Sequence, residues 1–224
     1  MKPSETPSPG NLRGVRVRPV SVEALVEELA DQLAGRQPDG RLRVAVDGPS
    51  AAAPERLADA LVDPLRVRGR PAIRIRAEDF LRPASLRLEF GRHNPDSFYA
   101  GWFDEAGLAR EVLDPAGPGG SGRVLTRLWN AETDRSAREP YRSLEPGTVL
   151  LVSGPLLLGA GLAFDVAVHL ELSPAALRRR MPPDQLWTLP AFERYAAEVD
   201  PAALADVVLR VDDPRRPAMV LERQ

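Results

Sequence analysis

The chain has 224 residues, 43% of them hydrophobic and 28% charged, with a formal net charge of -2. That length fits one domain with a full hydrophobic core, and the balance excludes both a disordered polyelectrolyte and a whole-chain field drawing in nucleic acid or an acidic membrane surface. Cysteine is absent, which excludes disulfides, thiolate metal sites and a cysteine nucleophile, and with two histidines no metal site is expected.

Residues 1–18 are rich in Pro, Ser and Gly without an apolar period, and are expected as a disordered tail ahead of a single domain over 19–224. The N-terminus has no apolar h-region, and no run approaches the roughly 18 apolar residues of a membrane span, so a cytoplasmic protein without a membrane partner is expected. Ser21 is placed to cap the helix "SVEALVEELADQL", which sets Val22, Leu25, Val26, Leu29 and Leu33 on one face. "LRVAVDG" reads as a strand ending in a tight turn. "PERLADALVDPLRVRG" reads as a helix whose Pro54 lies in the first turn, where a missing N–H is harmless. "PAIRIRAEDF" is a second strand.

From about 82 to 147 the pattern turns irregular, with "GRHNPDSFYAGWFDEAGLAREVL" as helices and "DPAGPGGSGRV" as a loop, an insertion between core strands. "GTVLLVSGPLLLG", "FDVAVHLEL" and "ADVVLRV" are further strands, "SPAALRRRM" opens a helix and "AFERYAAEV" forms another. "MPPDQLWTLP" between those helices fits neither period. Strands apolar on both faces and separated by helices predict a doubly wound α/β fold around a parallel sheet.

A phosphate loop would sit between the first of these strands and its helix. Its pattern is G-x-x-x-x-G-K-[ST]: the glycines turn backbone N–H groups toward phosphate, the lysine reaches the β and γ phosphates, and the hydroxyl ligates magnesium. Counting from Gly48, the second glycine falls on Ala53, the lysine on Pro54 and the hydroxyl on Glu55. Pro54 removes a cation and a backbone donor together, and Glu55 puts negative charge where phosphate oxygens would lie. Lys2 is the only lysine in the chain, so Arg56 is the nearest substitute, with a planar fork in place of a point charge. Gly48, Ser50 and Arg56 are the residues left to touch a nucleotide; the alternative is a plain strand, turn and helix.

"VAVDG", "RAEDFLRP", "NPDSFYAGWFD", "LDPAGPGGSGRV", "TDR", "VLLVSGPLLL" and "ADVVLRVDDPRRP" occur in an order that resembles the uridine kinase-like branch of P-loop nucleoside kinases, over about residues 41–215. The resemblance implies a five-stranded parallel core with a helical insertion, and a nucleoside pocket between them. It implies ATP and magnesium as cofactors if the protein is active, and none otherwise. It places Glu78 at the family's catalytic carboxylate, with Asp79 beside it, to accept the proton of a nucleoside 5'-hydroxyl. Arg178, Arg179 and Arg180 fall where lid arginines steady the donor, with Arg179 the catalytic candidate and Arg178 on the cofactor. Each assignment has a plainer alternative, a strand-end carboxylate or a solvated helix face.

Arg82 is placed to meet a phosphate or one of these acids. His93, Asn94, Asp96, Phe98, Tyr99 and Trp102 combine hydrogen-bonding groups with flat rings suited to a base and ribose, or else cap a helix over a small aromatic core. Ser153-Gly154 stands where the family tends to carry Asp-Gly, removing a magnesium-associated carboxylate. The "GPGGSG" run reads as a flexible connector and His169 as a hydrogen-bonded core residue. The resulting expectation is a uridine kinase-like protein that binds a nucleoside, nucleotide or related small molecule, as a monomer or an oligomer, with phosphoryl transfer weak or lost. An active uridine-type kinase and a non-enzymatic regulatory or interaction module are the alternatives.

Overall fold

The computed structural model describes residues 16–37 and 40–222. Its main sheet has seven strands: β1 (Arg16–Pro19), β2 (Leu42–Asp47), β3 (Ala72–Arg76), β4 (Val149–Gly154), β5 (Val166–Glu171), β6 (Val207–Arg210) and β7 (Ala218–Glu222). They lie in the order β1-β7-β6-β5-β2-β4-β3. The five from β6 to β3 are parallel, as the sequence predicts, and β7 and β1 extend one edge in antiparallel pairing. β1 corrects the expected tail, because Arg16, Val17 and Arg18 are paired with β7; residues 1–15 of that tail lie outside the described residues.

Alternation along the central strands sorts side chains into two cores. Leu42, Val44 and Val46 of β2 pack with Val149 and Leu151 of β4 beneath α1 (Val22–Ala34) and α2 (Pro54–Val67). Ala45, Ile75, Leu150 and Val152 face the opposite way, toward the insertion and the helices after β5. Helices therefore cover both faces of the parallel strands. Ser21 caps α1 as expected, accepting from the Ala24 N–H at 3.2 Å.

The insertion contains a short helix Ala84–Arg87, α3 (Pro95–Gly101), and a helical run over 105–116 interrupted by a π turn at Ala109–Leu113. Asp114–Ala116 is helical, so the loop expected from 114 begins at Gly117. Two short hairpins follow, Arg123–Val124 with Arg142–Ser143 and Trp129–Asn130 with Arg135–Ser136. After β5 come α4 (Pro174–Arg180), a 3-10 segment Pro183–Thr188 from the stretch that fitted neither period, and α5 (Leu189–Glu198). No helix among the described residues is long and apolar enough to cross a membrane.

At the starting end of the parallel strands Arg43 is buried and grips Asp165, the residue before β5, through Nε at 2.9 Å and Nη2 at 2.7 Å. Burial raises the Asp165 carboxyl, but the hydrogen bonds and charge of Arg43 outweigh it and hold the group below the ordinary carboxylate range. The finishing ends of the strands, where open α/β sheets place their ligand crevices, carry the candidate site.

Candidate functional site

β2 ends at Asp47, and Gly48 turns the chain with φ 154°. A Cβ there would meet the Leu170 carbonyl oxygen at 3.0 Å, so the turn lies directly against β5. Ser50–Ala52 forms a 3-10 turn, and Ala53, at the second glycine's position, adopts the left-handed conformation with φ 58° and ψ 53°. The curve of a phosphate loop is present, but several of its N–H groups are taken internally. The Ala52 N–H donates to Pro49 O at 2.7 Å, the Ala53 N–H to Ser50 O at 2.9 Å, and the Arg56 N–H to Ala53 O at 3.0 Å. Pro54 has no N–H, and Glu55 places its carboxylate at the first turn of α2.

A helix N-terminus attracts anions through those free N–H groups and its dipole. Here Glu55 supplies the anion itself. Burial raises its carboxyl above the ordinary range; its own N–H pulls back, the nearby Glu78 charge raises it further, and Arg76 and Arg74 lower it. Ser153, where a magnesium-associated carboxylate would stand, is buried and its Oγ makes no hydrogen bond among the described residues. Its neighbour across the sheet is the cationic Arg76. A triphosphate and magnesium need amide donors, a cation and a paired hydroxyl and carboxylate, and at the cation and hydroxyl positions this loop carries Pro54 and Glu55.

Beside the loop, on the β3 side, opens a cleft of about 380 Å³. Glu78 and Asp79 reach it from a 3-10 turn that continues β3, Ala77–Phe80. Gly154 fixes that turn: its φ is 155°, and a Cβ would come 2.5 Å from the Ala77 Cβ. Both acids are ion-paired, Glu78 with Arg76 and Asp79 with Arg127 at 2.7 Å. An aromatic wall faces them. Phe98 packs edge-on against Trp102 and Trp187 with ring centroids 5.7 Å apart in each pair, and the two tryptophans lie 5.4 Å apart. Ser50 closes the loop side, donating from Oγ to Gln185 Oε1 at 2.8 Å and so tying the loop to the Pro183–Thr188 segment.

Of the residues predicted from sequence, Ser50, Glu78, Asp79, Phe98 and Trp102 line this cleft. Others lie elsewhere. Tyr99 donates to Glu198 at 3.1 Å beneath the Arg194 guanidinium, and Asp96 pairs with Arg194 at 3.4 Å, so both face α5. His93 is exposed, 5.5 Å from the Trp187 ring, and Asn94 caps α3 by accepting from the Ser97 N–H. Arg82 is held through its backbone, donating to Trp102 O and accepting from Arg87 Nε, and does not line the cleft. Arg56, Arg178 and Arg179 are exposed and do not line it either, while Arg180 bonds the Val211 carbonyl.

Arg76, Arg127, Asn130, Gln185 and Trp187 line the cleft without having been singled out in the sequence. Arg127 and Asn130 come from the hairpin region and Trp187 from the proline-broken segment, where no periodicity pointed inward. His169, read as a core residue, is indeed buried, with Nδ1 2.7 Å from Asp47 Oδ2.

Solved structures with this arrangement include a possible uridine kinase from Bacillus stearothermophilus, 20% identical, matched over 82% of this chain and 96% of that one with a TM-score of 0.66. This chain has a P-loop kinase fold. A candidate fructose transport system kinase from Silicibacter sp. TM1040 shares the fold at 25% identity over 82% of this chain and 91% of its own, TM-score 0.57. The YGR205w protein shares it at 11% identity over 91% of this chain and 100% of its own, TM-score 0.57. No protein-family model matches the sequence, and no curated protein matches it. Within this P-loop kinase fold the loop sits between β2 and α2, and the 380 Å³ cleft lies between the parallel core and the insertion.

Proposed function

We propose that this P-loop kinase-fold protein binds a nucleoside or a related small molecule in the cleft beside β3, with ATP-dependent phosphoryl transfer weak or lost. The observation that carries the reading is the loop at 48–56, whose curve survives while its N–H groups at 48, 52, 53 and 56 are taken internally and Pro49 and Pro54 have none. Charge points the same way, since Pro54 and Glu55 replace a cation and a hydroxyl. The aromatic wall of Phe98, Trp102 and Trp187 supports a flat ligand, and the paired acids and arginines opposite supply acceptors and donors for its polar edge.

Calorimetric titration tests this directly. Uridine or cytidine is expected to give saturable heat and ATP–magnesium none. Tight ATP binding overturns the loop assignment, and silence from both nucleosides overturns the cleft assignment for those ligands.

An active uridine-type kinase is the second reading, favoured by Glu78 and Asp79 both facing the cleft at the end of β3. It requires conversion of uridine to its monophosphate at ordinary enzymatic speed, with loss of that activity in Glu78→Gln.

A further inference from the structure

One wall of the cleft beside β3 has a hydrogen-bonding edge that the protein itself fixes. Asn130 ends the strand Trp129–Asn130 and opens the turn that leads to Arg135–Ser136. Its Oδ1 accepts from the Glu132 N–H at 3.0 Å and from the Thr133 N–H at 3.1 Å. Two backbone donors on one side-chain atom settle which end of the amide is oxygen, because the flipped group would set N–H against N–H. Nδ2 is the end left over. It makes no hydrogen bond among the described residues, and Asn130, half-buried, lines the cleft.

The turn has no use for that nitrogen, since it needs only a side-chain oxygen, which aspartate would supply equally well. The hairpin around Asn130 is held at three points. The Leu128 N–H donates to Asp79 O at 2.9 Å, the Ala137 N–H to Leu128 O at 3.0 Å, and Trp129 Nε1 to Asp134 Oδ1 at 3.0 Å. Asn130 is thus a donor of fixed orientation, fastened to the same 3-10 turn that carries Glu78 and Asp79, in a cleft whose opposite wall is aromatic. A donor already held in place loses little entropy when a ligand engages it.

We propose that Asn130 determines specificity in this cleft: its Nδ2 donates to a ring carbonyl of a flat heterocycle lying against Phe98, Trp102 and Trp187, so that the cleft takes an oxo-pyrimidine base. The proposal rests on the nucleoside reading of the cleft and adds to it the group by which the base is recognised.

Calorimetric titration of the full-length protein with uridine and with cytidine, before and after Asn130→Asp, tests it. The variant keeps the oxygen that the turn uses and exchanges the ligand's donor for a charged acceptor, so uridine is expected to bind at least about tenfold more weakly. A loss confined to uridine assigns the contact to the ring 4-carbonyl; an equal loss for both nucleosides assigns it to the 2-carbonyl they share, and either result supports the proposal. A second measurement does not depend on the variant. The wild-type chain has three asparagines, and in its proton–nitrogen spectrum the Asn130 side-chain amide is expected to move saturably with uridine. Uridine bound by Asn130→Asp as tightly as by wild type, or an Asn130 amide left unmoved by saturating uridine, overturns the role of Asn130 and leaves the nucleoside reading standing. Silence of the wild type toward both nucleosides overturns that reading and this one together.

Discussion

The two ends of β2 each bury a polar residue whose partner comes from the β5 segment, and they differ in what surrounds it. At the start, Arg43 and Asp165 share a two-point contact with side chains 10% and 13% exposed. At the finish, Asp47 is fully buried and binds His169, Tyr195 and a backbone N–H, and His169 and Tyr195 also line a cavity. A closed polar pair away from any cavity serves register and stability; a polar cluster at the wall of one can also meet a ligand. In a parallel sheet the finishing edge gathers such capacity, because loops and helix starts converge there.

The comparison breaks first if the closed end proves dispensable. Asp165→Ala strands a buried guanidinium and should cost about 3–5 kcal/mol, read from urea unfolding at neutral pH. Because the folded Asp165 carboxyl is held below its ordinary value, this stabilisation is complete above about pH 4 and fades as pH falls through the folded value. The gap between wild type and variant should therefore narrow in acid.

At the finishing end, Ala53→Gly with Pro54→Lys and Glu55→Thr should turn a loop poor in donors and cations into a phosphate site. One restored charge-assisted hydrogen bond of about 1.5–3 kcal/mol predicts at least about a tenfold gain in ATP–magnesium affinity by calorimetry. Tyr195→Phe tests the polar cluster around Asp47. It removes the acceptor for the Leu158 N–H and a donor to Asp47, and should cost about 1–3 kcal/mol in unfolding free energy. Burial first, and then the Asp47 charge, push the Tyr195 hydroxyl far above its ordinary value, so it remains a donor throughout the accessible pH range. Asp96→Ala, at an exposed pair, should leave the urea midpoint unchanged.

The five parallel strands were legible because four are mostly apolar runs bounded by turns and β3, AIRIR, alternates isoleucine with arginine. β1 and β7 were not: they are short and partly exposed, and they pair across about 200 residues of sequence. The candidate site was half legible for a similar reason. Glu78 and Asp79 follow a strand that could be read, whereas Arg127 and Trp187 reach the cleft from segments without a period. Helical geometry explains the rest. Phe98 and Trp102 are four residues apart and share the cleft face of α3 and its cap, while Asp96 and Tyr99, three apart, turn toward α5.

Ala53 keeps a left-handed backbone that an L-residue adopts at about 1–2 kcal/mol of strain, with packing rather than glycine holding it in place. Shape and chemistry are thus separable in this bend: the mould of an anion cradle is also a mechanical element, joining the central strand to its helix. It sets the angle at which that helix leaves the sheet.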